Sequence, residues 1–168
     1  PSLDTDALER AVEATDLSET LIQQERQLLH NVLDLSEIPT EEVMRPRGSY
    51  LTFEPPVELS DLGGGIPPSG YILLTKPGSD SIESAVPILN FSVLPQHHLE
   101  QSAEEVVIVP WCATLASTLQ LLRTRYCNVA EVINEYGETI GIVTYEDILA
   151  TVLDAQPSRA KRLLRREP

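Results

Sequence analysis

Positive charge is scarce in this chain: twelve Lys and Arg stand against twenty-six Asp and Glu among 168 residues, a net charge of −14. Nucleic-acid binding draws on cations that displace counterions from phosphates, so the composition excludes DNA or RNA as a general partner. Cysteine is limited to Cys112 and Cys127, with no CxxC pair and no histidine at ligand spacing. That excludes a zinc site and a disulfide framework, and two buried, reduced thiols are expected. His97 and His98 are adjacent, and neighbouring side chains diverge on regular backbone, so they do not make one metal site. No apolar run reaches the roughly eighteen residues of a membrane span, and no signal peptide is visible. A phosphate-binding GxxxxGK[ST] loop and a nucleophile spaced beside a base are both missing, which argues against an enzyme. Glu146 and Asp147 are adjacent carboxylates that diverge by about 100° on a helix and do not form an acid/base pair.

What charge there is lies unevenly. Arg159, Lys161, Arg162, Arg165 and Arg166 are five of the twelve basic residues, leaving seven basic against twenty-five acidic residues before them. Such a tail, after Pro157, reads first as a solvated, frayed terminus and second as a segment touching anionic lipid or the acidic body. The first residue is proline, which leaves open an excised part of a longer protein or removal of an initiating methionine.

From Asp16 to Leu35, Leu17, Leu21, Leu28, Val32 and Leu35 recur at helical spacing, predicting an amphipathic helix with Asp16 and Glu19 at capping-box spacing; a weaker turn precedes it around Ala7 to Val12. Thr40 to Glu42 opens a short helix that Pro46 stops. Strands are expected in "GSYLTFEPP", "YILLT" and "VPILNF", with "LGGGIPPSG" and "KPGSD" as loop and turn. The second half is cleaner: "VVIVP", "VAEVI" and "TIGIVT" read as strands, "TLASTLQLLRTR" and "YEDILATVLD" as helices. This β-α-β-β-α order repeats, with a damaged helix, in the first half, and both copies open on Glu-Glu-Val, at Glu41 and at Glu104. The fold class expected is therefore α/β (α+β), an internal duplication whose halves pack together to bury what neither buries alone.

In "GIVTYED", Thr144 suits a helix N-cap and Asp147 its capping-box partner, which accounts for both without a ligand. The same turn also suits a nucleotide. A helix N-terminus offers free amides to phosphate, Asp147 can accept from two ribose hydroxyls, and Gly141 lets a ligand or another strand approach the backbone.

The span Val106 to Leu153 resembles a CBS domain and Met44 to Pro95 a diverged first copy, together a CBS pair, or Bateman module. "LLHNVLDLSEIPTEEVMRPR" and "VAEVINEYGETIGIVTYEDIL" resemble, more narrowly, the CorC and CNNM (HlyC/CorC, hemolysin-related) family linked to magnesium and cobalt transport. The resemblance implies tandem repeats packed as a pseudo-twofold pair behind an amphipathic helix: a linker helix region at 1–40, a first repeat at 41–99, a second at 100–155 and a basic tail at 156–168. It implies a homodimeric regulatory module on the cytoplasmic face of the membrane, joined to a transmembrane domain, binding an adenosine nucleotide such as AMP or ATP, with or without magnesium. Carried over by position, Thr144 faces phosphate or ribose, Asp147 the ribose hydroxyls and Gly141 lies beside them, with Val129, Ala130 and Val132 as neighbours of the adenine. The first repeat aligns Val86, Leu89 and Ser92 with the glycine, threonine and aspartate, so a site there is expected to be dead. Arg45 stands where the family often has threonine, and Ser69 to Ile72 replace a stretch that usually carries an arginine for phosphates. Arg45 or Arg47 are candidates to compensate; the alternative is a dimerisation module whose nucleotide site has decayed.

Overall fold

The computed structural model describes residues 5–89 and 91–153, except for the side chain of Phe91. The basic tail and its expected contacts lie outside the described residues. Helix α1 (Thr5–Asp34) begins eleven residues before the expected start at Asp16. No proline or glycine interrupts it, so Asp16 and Glu19, expected as its capping box, lie within the helix; the hydroxyls of Thr15, Ser18 and Thr20 donate to carbonyls one turn back.

Among the described residues eight strands follow: β1 (Arg45–Pro46), β2 (Thr52–Phe53), β3 (Tyr71–Thr75), β4 (Ile82–Pro87), β5 (Glu104–Glu105), β6 (Val107–Pro110), β7 (Val129–Ile133) and β8 (Thr139–Thr144), with α2 (Leu115–Arg125) and α3 (Tyr145–Leu153) in the second half. They form two four-stranded sheets, ordered β1-β8-β7-β6 and β2-β3-β4-β5. Both sheets share one plan. A parallel pair (β2 with β3, β6 with β7) continues into an antiparallel hairpin (β3–β4, β7–β8), closed by an antiparallel strand from the other half's lead-in (β5 on β4, β1 on β8). The duplication is thus structural, and each half lends its first strand to the other's sheet.

The halves differ in their cover. Where the second has α2 and α3, the described residues of the first have 3-10 turns at Thr40–Glu42, Leu59–Leu62, Phe91–Val93 and Leu99–Ser102. The glycines and prolines between Gly63 and Gly70 do not sustain a helix there. The last three turns still seal the outer face, packing Val57 and Leu99 onto Ile72, Leu74 and Val86. With Tyr71 and Leu73 turned to the other sheet, β3 is buried on both faces. The strand expected at "VPILNF" is corrected to Ile82–Pro87: pairing to β3 across the turn holding Gly78 (φ +73) sets the register, and the later apolar run is not extended.

Between the sheets, Tyr71, Leu73, Ile82 and Ala85 meet Val106, Val129 and Ile142. Glu131 also lies here, only 1% exposed. Its carboxylate accepts the Ile82 amide at 3.0 Å, the Ser81 hydroxyl at 3.3 Å and the Thr139 hydroxyl, so a β7 side chain holds the start of β4. Under α2 and α3, Leu35 and Ile38 join Val107, Leu115, Leu122, Ala130, Val132, Val143 and Ile148 in the largest core. Cys127 is in that core as expected, while Cys112, also expected to be buried, is exposed in the turn after β6. His97 and His98 approach different carboxylates, those of Glu58 and Glu100.

Candidate functional site

Strand β8 ends at Thr144 and α3 starts at the next residue. The Thr144 hydroxyl accepts the Asp147 amide at 3.0 Å, and an Asp147 oxygen accepts the Thr144 amide at 3.2 Å. This is a reciprocal capping box, as the spacing predicts, and Thr144 is wholly buried in it.

A third group converges on the turn. Arg45 donates from Nε to Asp147 Oδ2 at 3.0 Å and from Nη2 to Oδ1 at 2.9 Å, a two-pronged fork spanning 102 positions of sequence. Its side chain is 34% exposed and that of Asp147 16%. Backbone pairing places it: β1 lies antiparallel on β8 with Arg45 opposite Ile142 and Pro46 opposite Gly141. A Cβ at Gly141 would sit 2.5 Å from the Arg45 carbonyl oxygen and 2.7 Å from Met44 Sδ, so only glycine admits this strand. Of the two approaches its sequence allowed, ligand or strand, the backbone beside Gly141 holds a strand.

The first half reaches the same turn through Tyr71, whose hydroxyl donates to Glu146 Oε1 at 2.8 Å. Beside Arg45 lies a cavity of about 270 Å³ whose lining includes Tyr50, Phe53, Pro67, Ser69 and Tyr71. The Tyr50 hydroxyl is buried without a hydrogen-bond partner among the described residues. A larger groove, about 1030 Å³, runs between the end of α1, α2 and Tyr145, but its lining includes none of Arg45, Thr144 and Asp147.

Burial, with the nearby charge of Glu131 second, pushes the Tyr50 hydroxyl up to about 12. Burial and the hydrogen bond to Glu146 raise Tyr71 as well. Both are raised above the ordinary 10, so the stability these groups contribute is complete below pH 10 and falls as pH rises above it, through about 12 for Tyr50. Urea unfolding at stepped pH should therefore show stability falling above pH 10, with a shallower fall in Tyr50→Phe and Tyr71→Phe; an unchanged slope in both variants would contradict it.

The other carried-over residues take different places. On β7, Val129 pairs with Thr144, Ala130 with Val143 and Val132 with Gly141. Val129 faces the other sheet, whereas Ala130 and Val132 have no exposed surface and pack under the helices. The first-repeat counterparts also move. The matching bulges of the two hairpins, with Leu74 opposite Ser84 and Val132 opposite Gly141, equate Gly141 with Ser84 and Thr144 with Pro87, two positions before the sequence alignment. The position matching Asp147, Asn90, is outside the described residues. Pro87 has neither hydroxyl nor amide hydrogen to offer. Tyr50 was not singled out from sequence, Glu146 was noted only as the carboxylate beside Asp147, and the one signal for Tyr71 was the change at Ser69 to Ile72.

No family profile matches the chain. Among characterised proteins it is similar to the polyamine export protein of Escherichia coli K12, 27% identical over 157 residues covering 89% of this chain and 35% of that one. The chain thus spans about a quarter to a third of the length of the curated relatives it matches. Its fold is similar to the CBS domain of a bacterial CNNM/CorC family Mg2+ transporter, with a TM-score of 0.66 and 22% identity over 90% of this chain and 96% of that chain. The same domain in complex with ATP aligns with a TM-score of 0.63 and 24% identity, over 77% and 97%. A CBS-domain pair with bound AMP from Klebsiella pneumoniae gives 0.53 and 21%, over 70% and 99%. The fold is that of a CBS-domain pair, and the resemblance to the CorC and CNNM family is matched by solved CBS domains of that family.

Proposed function

We propose that this CBS pair is the regulatory part of a CorC- or CNNM-like membrane transport protein, and that it binds an adenosine nucleotide where Arg45, Ser69 and Tyr71 meet the Thr144–Asp147 turn. The observation that carries this reading is the convergence of a carboxylate, a guanidinium and a helix N-terminus at the junction of the two halves, beside a cavity of about 270 Å³. Asp147 is suited to ribose hydroxyls, and the Arg45 guanidinium to phosphate. The net charge of −14 disfavours a bare triphosphate, so AMP, or ATP carrying magnesium, is the expected form. Solved relatives with ATP and with AMP support the ligand class. The chemistry is binding without turnover.

The module would act as a homodimer at the cytoplasmic face, attached to a transmembrane part. Its support is the apolar surface that α1 leaves open: Leu17, Leu21, Leu29 and Leu33 are each more than half exposed. Among the described residues no helix is long and apolar enough to cross a membrane, so anchoring falls to other segments. Light scattering should give twice the chain mass; a monomer at high concentration would refute the dimer.

A second reading, an assembly module with a decayed nucleotide site, is favoured by one observation: Arg45 already engages both oxygens of Asp147. Thermal melting with AMP and with ATP plus magnesium separates the two. A functional site should raise stability by about 2.7 kcal/mol at a hundred times the dissociation constant. Asp147→Ala and Thr144→Ala should abolish the shift while remaining folded. Equal melting with and without nucleotide would favour the decayed module.

A further inference from the structure

The four acceptor positions of the Asp147 carboxylate are almost filled. Oδ2 takes Arg45 Nε and the Thr144 amide, and Oδ1 takes Arg45 Nη2, leaving about one of four lone pairs. A ribose diol brings two hydroxyl donors to such a carboxylate. It cannot place both without opening at least one prong of the Arg45 fork.

The backbone of Arg45 cannot yield, because β1 is paired to β8 and pressed on Gly141. The side chain can. Arg45 itself lines the cavity that also holds Ser49, Ser69 and Tyr71, so rotation about its own bonds turns the guanidinium off Asp147 and into that space. A guanidinium moved from a carboxylate at 16% exposure needs a second anion to offset the loss. A nucleotide carries that anion and a nucleoside does not.

Resting on the nucleotide-binding reading, we propose that Arg45 makes occupation of this site conditional on phosphate: it pairs with Asp147 or with the ligand's phosphate, and a nucleoside is rejected because it breaks the first pair without supplying the second. Phosphate selectivity then resides in an exchange of one arginine between two anions.

The test is calorimetric titration of the full chain with adenosine, AMP and ATP plus magnesium, for the wild type and Arg45→Ala. The wild type should prefer AMP over adenosine by about tenfold or more, the worth of one charge-assisted hydrogen bond. Arg45→Ala should bind adenosine about tenfold more tightly than the wild type and AMP more weakly, so that the preference falls to within about threefold. Arg45→Lys, which keeps the charge and loses the fork, should lie between them and serves if the alanine variant is unfolded. An unchanged AMP-to-adenosine ratio, or equal weakening of both ligands, would overturn the exchange and leave Arg45 a structural tie. Binding by Arg45→Ala alone would also overturn it, showing a permanent plug. Silence from every protein with every ligand refutes the nucleotide reading itself.

Discussion

Gly141→Ala should destabilise the protein by about 1–3 kcal/mol, and Gly141→Val by more, although glycine ordinarily weakens a strand interior. The cause is steric: the added Cβ would lie 2.5 Å from the Arg45 carbonyl oxygen and 2.7 Å from Met44 Sδ. A methionine side chain can turn aside, but a backbone carbonyl cannot. Strand β1 must therefore lift from β8, and the Arg47 amide loses its 2.8 Å bond to the Ile140 carbonyl along with the register of Arg45 on Asp147. Urea unfolding followed through Trp111, the single tryptophan, measures the loss. An alanine variant as stable as the wild type would mean that β1 does not press on β8.

Glu131→Ala should cost about 2–4 kcal/mol, from an orphaned buried amide and the volume removed. Ser81 is exposed and can turn to water, and the Thr139 hydroxyl can rotate, but the Ile82 amide is buried and loses the carboxylate it donates to at 3.0 Å. Glu131→Gln is the informative control. Its carbonyl can still accept the Ile82 amide, while its amide group meets a Ser81 hydroxyl able to accept. The glutamine variant should lose less than half as much. Equal losses in both would show that charge, not hydrogen bonding, makes this contact between the sheets.

The second repeat was legible because each of its signals is local. Apolar spacing changes from alternation in "VAEVI" to helical in "TLASTLQLLRTR", and Thr114 caps α2 by accepting the Ser117 amide, as Thr144 caps α3. In the first repeat the decisive contacts are not local. The run "VPILNF" is the more apolar, yet β3 selects "IESAVP", and the error carried the threonine and aspartate counterparts two positions along. Helix α1 was read short because Asp16 and Glu19 have the spacing of a capping box, whereas the helix runs through both from Thr5. At the site, Thr144 and Asp147 were legible as a pair. Arg45 could be named only as a candidate, since a partner 102 positions away is set by the register of β1 on β8. Tyr71 was hidden for the same reason, being 75 positions from Glu146.

The most direct test of the central claim is calorimetric titration of the wild-type chain with AMP, ADP and ATP, each with and without magnesium. A functional site predicts saturable binding of one nucleotide per chain, with magnesium improving ATP most because the body carries a net charge of −14. No heat of binding with any of the six titrants, from a folded protein, would contradict it and reduce the Thr144–Asp147 turn to a helix cap locked by Arg45.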